Sequence, residues 1–253
     1  MLILKLNNFT FKHSSFKLVI SKMSSDFANV RPRYGDPSEI FDVKDLVSKD
    51  PIKQFDSWFQ LARKNPGIKE PNAMCLSTST IEGKPSSRMV LLKDFTENGF
   101  TFFTNYTSKK GQELDKNPQA SLCFYWDIMS RQIRIDGKVS KIDREKSIGY
   151  FSRRPLNSRI SAYISDQSKV IKDKQYLIDL QQQATKEFEP TQTVPTPENW
   201  GGYLVVPEEI EFWQGNDIRL HDRIRFRKLK EGEKLSEFAI EGENGWIIER
   251  LAP

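Results

Sequence analysis

Cationic side chains cluster at three places in the sequence, each next to the end of a predicted strand or helix, and at two of them hydroxyl side chains stand beside the cations. Ser108, Lys109 and Lys110 follow a predicted strand and open a predicted helix. Hydroxyls, ammonium groups and the N–H groups of a helix start together suit a phosphate. The other groups are Arg153, Arg154 and Ser158 after Tyr150, and the run 219–223 (RLHDR). One such group alone is more often a solvated surface, but three favour small phosphorylated ligands.

Arg88 and Lys93 add two cations at the ends of an apolar predicted strand. The amide side chains of Gln132 and Gln167 and the ring of Trp213 suit a planar aromatic cofactor. Trp213 taken alone is equally a core aromatic on a strand.

Several catalytic classes lack their motifs. The sequence has no G-x-S-x-G, H-E-x-x-H, G-x-G-x-x-G or G-x-x-x-x-G-K-[ST] motif, which argues against hydrolase, zinc-protease, Rossmann and P-loop functions. It has two cysteines and two histidines, so we expect no metal site. Cys75 and Cys123 lie inside predicted strands, and we expect free thiols that behave as small buried hydrophobes.

The net charge of +5 arises mostly at the N-terminus of this chain of 253 residues. Residues 1–25 hold four lysines and no acid, and without these four of the 39 basic residues, 35 remain against 34 acidic ones. A nearly neutral body argues against nucleic-acid binding. Residues 1–25 resemble an organelle transit peptide, and the alternatives are a disordered tail or an extension upstream of a working start at Met23.

The elements that must position these residues follow from local patterns. Asp50-Pro51 and the apolar spacing that follows predict an amphipathic helix over 51–64. Strands are predicted over 73–80, 86–94, 100–106, 120–127, 131–141, 202–214, 222–229 and 245–250, and further helices from Ser108 through Leu114, from Asp143 through Phe151, and over about 157–164 and 172–187. Asn98-Gly99 is typical of a hairpin. Successive strands with short connections predict an α+β fold, a largely antiparallel barrel with flanking helices.

The chain resembles the pyridoxamine 5′-phosphate oxidase family of FMN-dependent enzymes from about residue 30 to 253. The resemblance rests on separated motifs in the family's order: DPIKQFDSWF, SSRMVLLKDF, GFTFFTNYTSKKGQEL, FYWDIMSRQIRIDG, YFSRRPLNSRI, SDQS, WGGY, EFWQG, RLHDR and ERLAP. It implies an antiparallel FMN-binding split β-barrel with flanking helices in one domain over 30–253, with residues 1–29 as an extension. It also implies a homodimer with FMN at the interface, and pyridoxamine 5′-phosphate, pyridoxine 5′-phosphate and O2 as substrates.

The resemblance further implies site residues. The FMN-binding set is Arg88, Met89, Val90, Leu91, Phe103, Thr104, Lys109, Lys110, Gln132, Gln167, Ser168, Trp213 and Arg223. The substrate-binding set is Arg31, Tyr34, Lys93, Tyr150, Arg154, Ser158, Arg219, Leu220 and His221, of which Arg219 and His221 are the catalytic pair. Lys109 stands where the family usually has Arg, and it lacks the bidentate fork of that residue.

The implied reaction passes a hydride from substrate C4′ to flavin N5, and O2 then takes the electrons to give H2O2. The alternatives are another split-barrel flavoprotein that reduces its substrate, a flavin or pyridoxal-phosphate carrier without turnover, and, last, a nucleic-acid-binding protein. We expect no membrane partner and a cytoplasmic location, with mitochondrial targeting by residues 1–25 as the alternative.

Overall fold

A computed structural model of the chain describes Tyr34 and residues 40–253, and Tyr34–Pro253 form one compact unit. The predicted residue Arg31 and the predicted segment 1–25 lie outside the described residues, and the domain boundary at residue 30 stays a prediction. In the described part, no helix is long and apolar enough to cross a membrane.

Ten strands and five α-helices make up the described part of the chain. The strands are β1 (Ala73–Ser79), β2 (Pro85–Leu91), β3 (Asp94–Thr96), β4 (Gly99–Asn105), β5 (Gln119–Trp126), β6 (Arg131–Lys141), β7 (Trp200–Gln214), β8 (Asp222–Lys228), β9 (Ile240–Glu241) and β10 (Trp246–Arg250). The helices are α1 (Pro51–Lys64), α2 (Lys109–Lys116), α3 (Arg144–Ser152), α4 (Leu156–Ile164) and α5 (Lys174–Phe188).

The sheet is antiparallel and branches at β7. Its main order is β2-β1-β5-β6-β7-β8-β10-β9, and β4 pairs with β3 and with β7. The first half of β7 pairs with β4 and its second half pairs with β8, while β6 follows it along nearly its whole length. The predicted α+β class and antiparallel split barrel are confirmed.

A bulge interrupts the pairing of β6 with β7 between the two halves of β7. The register shifts between Asp136 and Gly137. A Cβ at Gly137 would overlap the carbonyl oxygen of Val206, so a glycine lets the two backbones approach at this bend.

The core explains why α1 forms and where it packs. Asp50 caps the helix by accepting a hydrogen bond from the Ile52 N–H, and Pro51 occupies the first turn. Its apolar face buries Phe55 and Trp58 against the inner face of the sheet. Complete burial of a side chain such as Phe55 contributes about 1.5–3 kcal/mol. A second, smaller cluster lies under α3, α4 and α5 and includes Trp200.

The predicted strand 86–94 is divided in the structure. The Leu92 N–H donates to the Asn72 carbonyl, but the Lys93 N–H donates to the Thr101 carbonyl on β4. The chain therefore changes its pairing partner here, and β3 begins at Asp94. The predicted hairpin at Asn98-Gly99 is confirmed by the β3–β4 pair.

Both cysteines are free thiols, as predicted, but neither is fully buried. Burial alternates along β1 and β5, and Cys75 and Cys123 lie opposite each other at half-buried positions on the outer face. The expectation of buried cysteines was therefore wrong, because the alternation places the neighbouring residues in the core.

Candidate functional site

A cleft of about 880 Å³ lies between β2, β4, α2, α4 and the start of β7. Its volume is in the range of small-molecule sites. Twelve of the predicted site residues line it: Arg88, Met89, Val90, Leu91, Lys93, Phe103, Thr104, Lys110, Tyr150, Arg154, Ser158 and Gln167.

One cationic group of the cleft consists of Arg88 on β2 and Lys110 on α2. Ser108 caps α2 by accepting from the Gly111 N–H, and its own Oγ donates to the Asn105 carbonyl at the end of β4. The Lys110 Nζ donates to Gln167 Oε1 at 2.8 Å and to Thr104 Oγ1 at 3.2 Å. Burial lowers the pKa of Lys110 to about 8, and the charge of Arg88 acts in the same direction. Desolvated, mutually repelling cations of this kind are stabilised by an anion.

The second cationic group lies on other elements. Arg154 is in the turn between α3 and α4, and Ser158 is on α4. The Arg154 guanidinium carbon is 5.0 Å from the ring centroid of Trp200. Its Nη1 is buried and has no hydrogen-bond partner among the described residues. Burial also lowers the pKa of this guanidinium. A buried N–H of a cation without a partner is costly, and it points to an anionic ligand.

An aromatic wall lies beside Arg154. The Phe103 and Tyr150 rings stack with centroids 4.0 Å apart, and Phe103 also stacks on Trp200 at 5.3 Å. These rings give the cleft a flat apolar surface next to its charged groups.

Two predicted FMN contacts near this cleft do not line it. Lys109 is exposed, and its Nζ is 3.8 Å from Glu113 Oε1. Ser168 follows Gln167 in an exposed loop, with φ of 75°.

The other predicted residues that the structure describes form a second cluster around the far end of β7. The rings of Tyr34, Trp213 and His221 meet edge to face or tilted, with centroids 5.0–5.6 Å apart. In the sheet register, Trp213 lies opposite Gln132 on one side and Arg223 on the other. Arg219 and Leu220 are exposed in the loop before β8.

His221 is held in one tautomer. The Asn216 N–H donates to His221 Nδ1 at 3.1 Å, so Nδ1 carries no proton and Nε2 is the protonated nitrogen of the neutral ring. Burial lowers the pKa of His221, and the charge of Arg219 lowers it further. The imidazole is therefore neutral at pH 7.

Arg223 is firmly positioned by a carboxylate. Its Nε donates to Glu211 Oε1 at 2.7 Å and its Nη2 to Glu211 Oε2 at 3.1 Å. Burial raises the pKa of Glu211, but hydrogen bonds from Arg223 and Arg134 lower it more, so the group stays ionised.

The two clusters lie at opposite ends of one strand. Trp200 begins β7 beside the cleft, and Trp213 lies near its other end. At about 3.3 Å per residue, on the order of 40 Å of strand separates them. A single chain does not bring all the predicted residues together.

Comparisons with known proteins show the family of the chain. A family model described as pyridoxamine 5′-phosphate oxidase matches residues 63–182, and one described as pyridoxine 5′-phosphate oxidase C-terminal dimerisation region matches residues 200–253. The pyridoxine-5′-phosphate oxidase of Bos taurus is 50% identical over 234 residues, covering 90% of this chain and 88% of that protein. The chain belongs to the pyridoxamine 5′-phosphate oxidase family. This family is one of oxidoreductases.

Two further relatives support the assignment. The pyridoxine/pyridoxamine 5′-phosphate oxidase of Bombyx mori is 45% identical and covers 92% of each chain. A crystal structure of PhzG from Burkholderia lata 383 in complex with tetrahydrophenazine-1-carboxylic acid has 26% identity and a TM-score of 0.74, covering 87% of this chain and 100% of that one.

Sequence reasoning missed two residues of the cleft region. Trp200 stands in the WGGY motif, yet nothing local shows that its ring reaches Arg154. Glu113 looks like a solvated charge in a short charged helix, but it is buried. The sequence signal that could have identified Glu113 was a carboxylate between basic residues on a short helix.

Proposed function

We propose that this chain is a pyridoxal 5′-phosphate synthase that oxidises pyridoxamine 5′-phosphate and pyridoxine 5′-phosphate with FMN and O2. The observation that carries the proposal is the pair of cationic groups in one cleft, Arg88 with Lys110 and Arg154 with Ser158. Two groups on different elements suit two phosphorylated ligands, a cofactor and a substrate.

The residues present fit FMN. Arg88 and Lys110 would hold its phosphate, with Thr104 and Gln167 beside them. The low pKa of Lys110 supports this role, because a phosphate restores the charge balance that burial disturbs. When bound, FMN supplies the hydride acceptor at N5 for the hydrogen on substrate C4′, and its reoxidation by O2 gives H2O2.

The residues of the chain bind and orient the substrate. The unpartnered Arg154 Nη1 would take the substrate phosphate, together with Lys93, Tyr150 and Ser158. An anchor far from the reacting carbon fixes the ring against the cofactor, which is the main task of a protein in a hydride transfer. The aromatic wall of Phe103 and Tyr150 excludes water from one side of the cleft.

A second copy of the chain would complete each site. The cluster of Trp213, Arg219 and His221 lies too far along β7 to reach the cleft of its own chain. In a homodimer with FMN at the interface, this cluster and its neighbours, Tyr34, Gln132, Leu220 and Arg223, would face the cleft of the other copy. The neutral His221 then offers an Nε2–H to the ligand, and Arg219 offers a positive charge.

An aerobic assay tests the proposed function. Purified protein loaded with FMN receives pyridoxamine 5′-phosphate, and aldehyde and peroxide are followed together. We expect the two products in equal amounts. Bound flavin with neither product would instead support a carrier or a reductase, and a protein that binds no FMN would contradict the cofactor assignment.

A further inference from the structure

A buried carboxylate lies behind the cationic group of Arg88 and Lys110. Glu113 is on α2, its side chain is 6% exposed, and it faces β1 and β2. Its Oε2 accepts hydrogen bonds from Thr78 Oγ1 at 2.5 Å and from Ser86 Oγ at 2.6 Å. Glu113 does not line the cleft, so it acts on a ligand through another residue.

The two hydroxyls connect Glu113 to Arg88. Arg88 Nη1 donates to Thr78 Oγ1 at 2.6 Å, and Nη2 donates to Ser86 Oγ at 2.5 Å. A hydroxyl has one proton, and here that proton goes to Glu113. The lone pairs of both hydroxyls are therefore available for the guanidinium. Nη1 also donates to the Leu76 carbonyl at 3.2 Å, and Nη2 also donates to Glu113 Oε2 at 3.4 Å. These contacts engage the four Nη hydrogens and leave the Nε–H of Arg88 for a ligand.

The charges around Glu113 also indicate that it supports Arg88. Burial raises the pKa of Glu113, but hydrogen bonds from Ser86 and Thr78 and the charges of Lys109 and Arg88 lower it more. The carboxylate is therefore ionised at neutral pH. It offsets the mutual repulsion of Arg88 and Lys110 when no anion is bound.

We propose that Glu113 is a positioning residue, which sets the direction of the Thr78 and Ser86 hydroxyls and thereby holds Arg88 ready for the phosphate of FMN. This inference rests on the proposed function, since it concerns the cofactor phosphate. A carboxylate this close to a phosphate site weakens the attraction for the anion. Its presence is explained if orientation of the Arg88 guanidinium, and of its Nε–H, contributes more to FMN binding than the charge of Glu113 costs.

The test is a double-mutant cycle on FMN affinity. Apoprotein is titrated with FMN, and binding is read from the quenching of flavin fluorescence. Glu113→Gln keeps one acceptor oxygen and removes the charge. We expect it to weaken FMN binding about tenfold. Asp115→Asn is the matched control, since Asp115 is on the same helix, is exposed and pairs with Lys141 at 3.5 Å. We expect this control to bind FMN within about twofold of wild type.

The cycle separates positioning from a structural defect. In the Arg88→Lys background the guanidinium that the two hydroxyls orient is absent, so Glu113→Gln should change FMN affinity less than about twofold. A tenfold loss in both backgrounds would overturn the proposal, because Glu113 would then act on the fold and not through Arg88. Unchanged or tighter FMN binding by Glu113→Gln would overturn it as well.

A second variant keeps the test decisive if Glu113→Gln does not fold. Ser86→Ala removes one of the two hydroxyls at a half-buried strand position, and its loss of FMN affinity should likewise disappear in the Arg88→Lys background. The proposed function and the positioning role of Glu113 would be contradicted by different results. Wild-type protein that does not bind FMN contradicts the proposed function, whereas wild-type binding without a Glu113 effect contradicts only the positioning role.

Discussion

The guanidinium of Arg154 lies over the ring of Trp200, with 5.0 Å between the guanidinium carbon and the ring centroid. Its Nη1 is buried without a hydrogen-bond partner in the described part of the chain. The ring holds the guanidinium in place while leaving its N–H groups for a ligand. This geometry makes Arg154 the most specific candidate for the substrate phosphate.

Arg154→Met should therefore raise the KM for pyridoxamine 5′-phosphate. Loss of a charge-assisted hydrogen bond costs about 1.5–3 kcal/mol, or roughly 10–100-fold in affinity. Arg153→Met is a matched control, because Arg153 is exposed and its Nε donates to the Gly149 carbonyl. Steady-state kinetics at saturating O2 provide the measurement. Equal KM values in the two variants would remove Arg154 from the substrate site.

Arg88→Ala should release FMN. The side chain is about one-fifth exposed, and two of its four hydrogen bonds go to hydroxyls, one to Glu113 and one to the Leu76 carbonyl. The pairing of β1 with β2 is made by the backbone, so removal of this side chain leaves it intact. The ratio of flavin to protein absorbance after gel filtration measures occupancy. We expect a colourless protein with a wild-type circular dichroism spectrum. Full occupancy would contradict the phosphate role of Arg88.

Arg219→Ala should keep the flavin and lose most turnover, by about 100-fold, since the positive charge beside the substrate is lost. Arg219 has φ of 66°, where a side chain is strained. Arg219→Gly removes the charge and also relieves that strain. Comparison of the two variants therefore separates the effect of the lost charge from the effect of the strained backbone. We expect both variants to be yellow and slow. Wild-type turnover in either one would exclude Arg219 from the active site.

FMN binding should weaken as the pH rises above 8. The pKa of Lys110 is about 8 in the FMN-free protein, below its ordinary 10.5, so its ammonium loses its proton above pH 8. A phosphate binds the protonated form, and the FMN dissociation constant should increase by up to about tenfold per pH unit above 8. Lys110→Arg stays charged and should flatten this dependence. A flat profile in wild type would show that Lys110 does not meet the phosphate.

The low pKa of Lys110 also determines how the stability of the FMN-free protein changes with pH. Between pH 8 and 10.5 the unfolded lysine is protonated and the folded one is not. The unfolded state then binds more protons, so the free energy of unfolding of the FMN-free protein gains a positive contribution from Lys110 as the pH rises. Denaturant titrations of wild type and Lys110→Arg at pH 7.5 and 9.5 measure this difference.

Mixing two inactive variants should restore activity if each site uses two chains. Arg88→Ala damages the cleft, and Arg219→Ala damages the second cluster. A mixed dimer has one site with both changes and one intact site, so the isolated mixed dimer should have about half of wild-type activity. Co-expression with two different tags yields the mixed dimer for assay. No recovery in that mixed dimer would indicate that each chain completes its own site.

Local sequence patterns predicted most of the elements, because those elements depend on neighbours along the chain. The limits of α1 agree with the predicted 51–64, since capping by Asp50 and the stop at Asn65 act within a few residues. The break between β2 and β3 was not predicted, because Leu92 and Lys93 bond to different parts of the fold. The two-residue strand β9 is too short to leave a pattern.

The sequence by itself determined the chemical groups of the site and the family to which the chain belongs. Its cations and hydroxyls stand in separate motifs, and the order of these motifs indicates the family without a structure. Only the tertiary structure showed that Glu113 lies behind Arg88 and that Trp200 lies beside Arg154. It also placed Trp213 and His221 at the end of β7 away from the cleft. These relationships join residues that are far apart in the chain, and they arise from strand pairing and burial, which no local pattern of residues encodes.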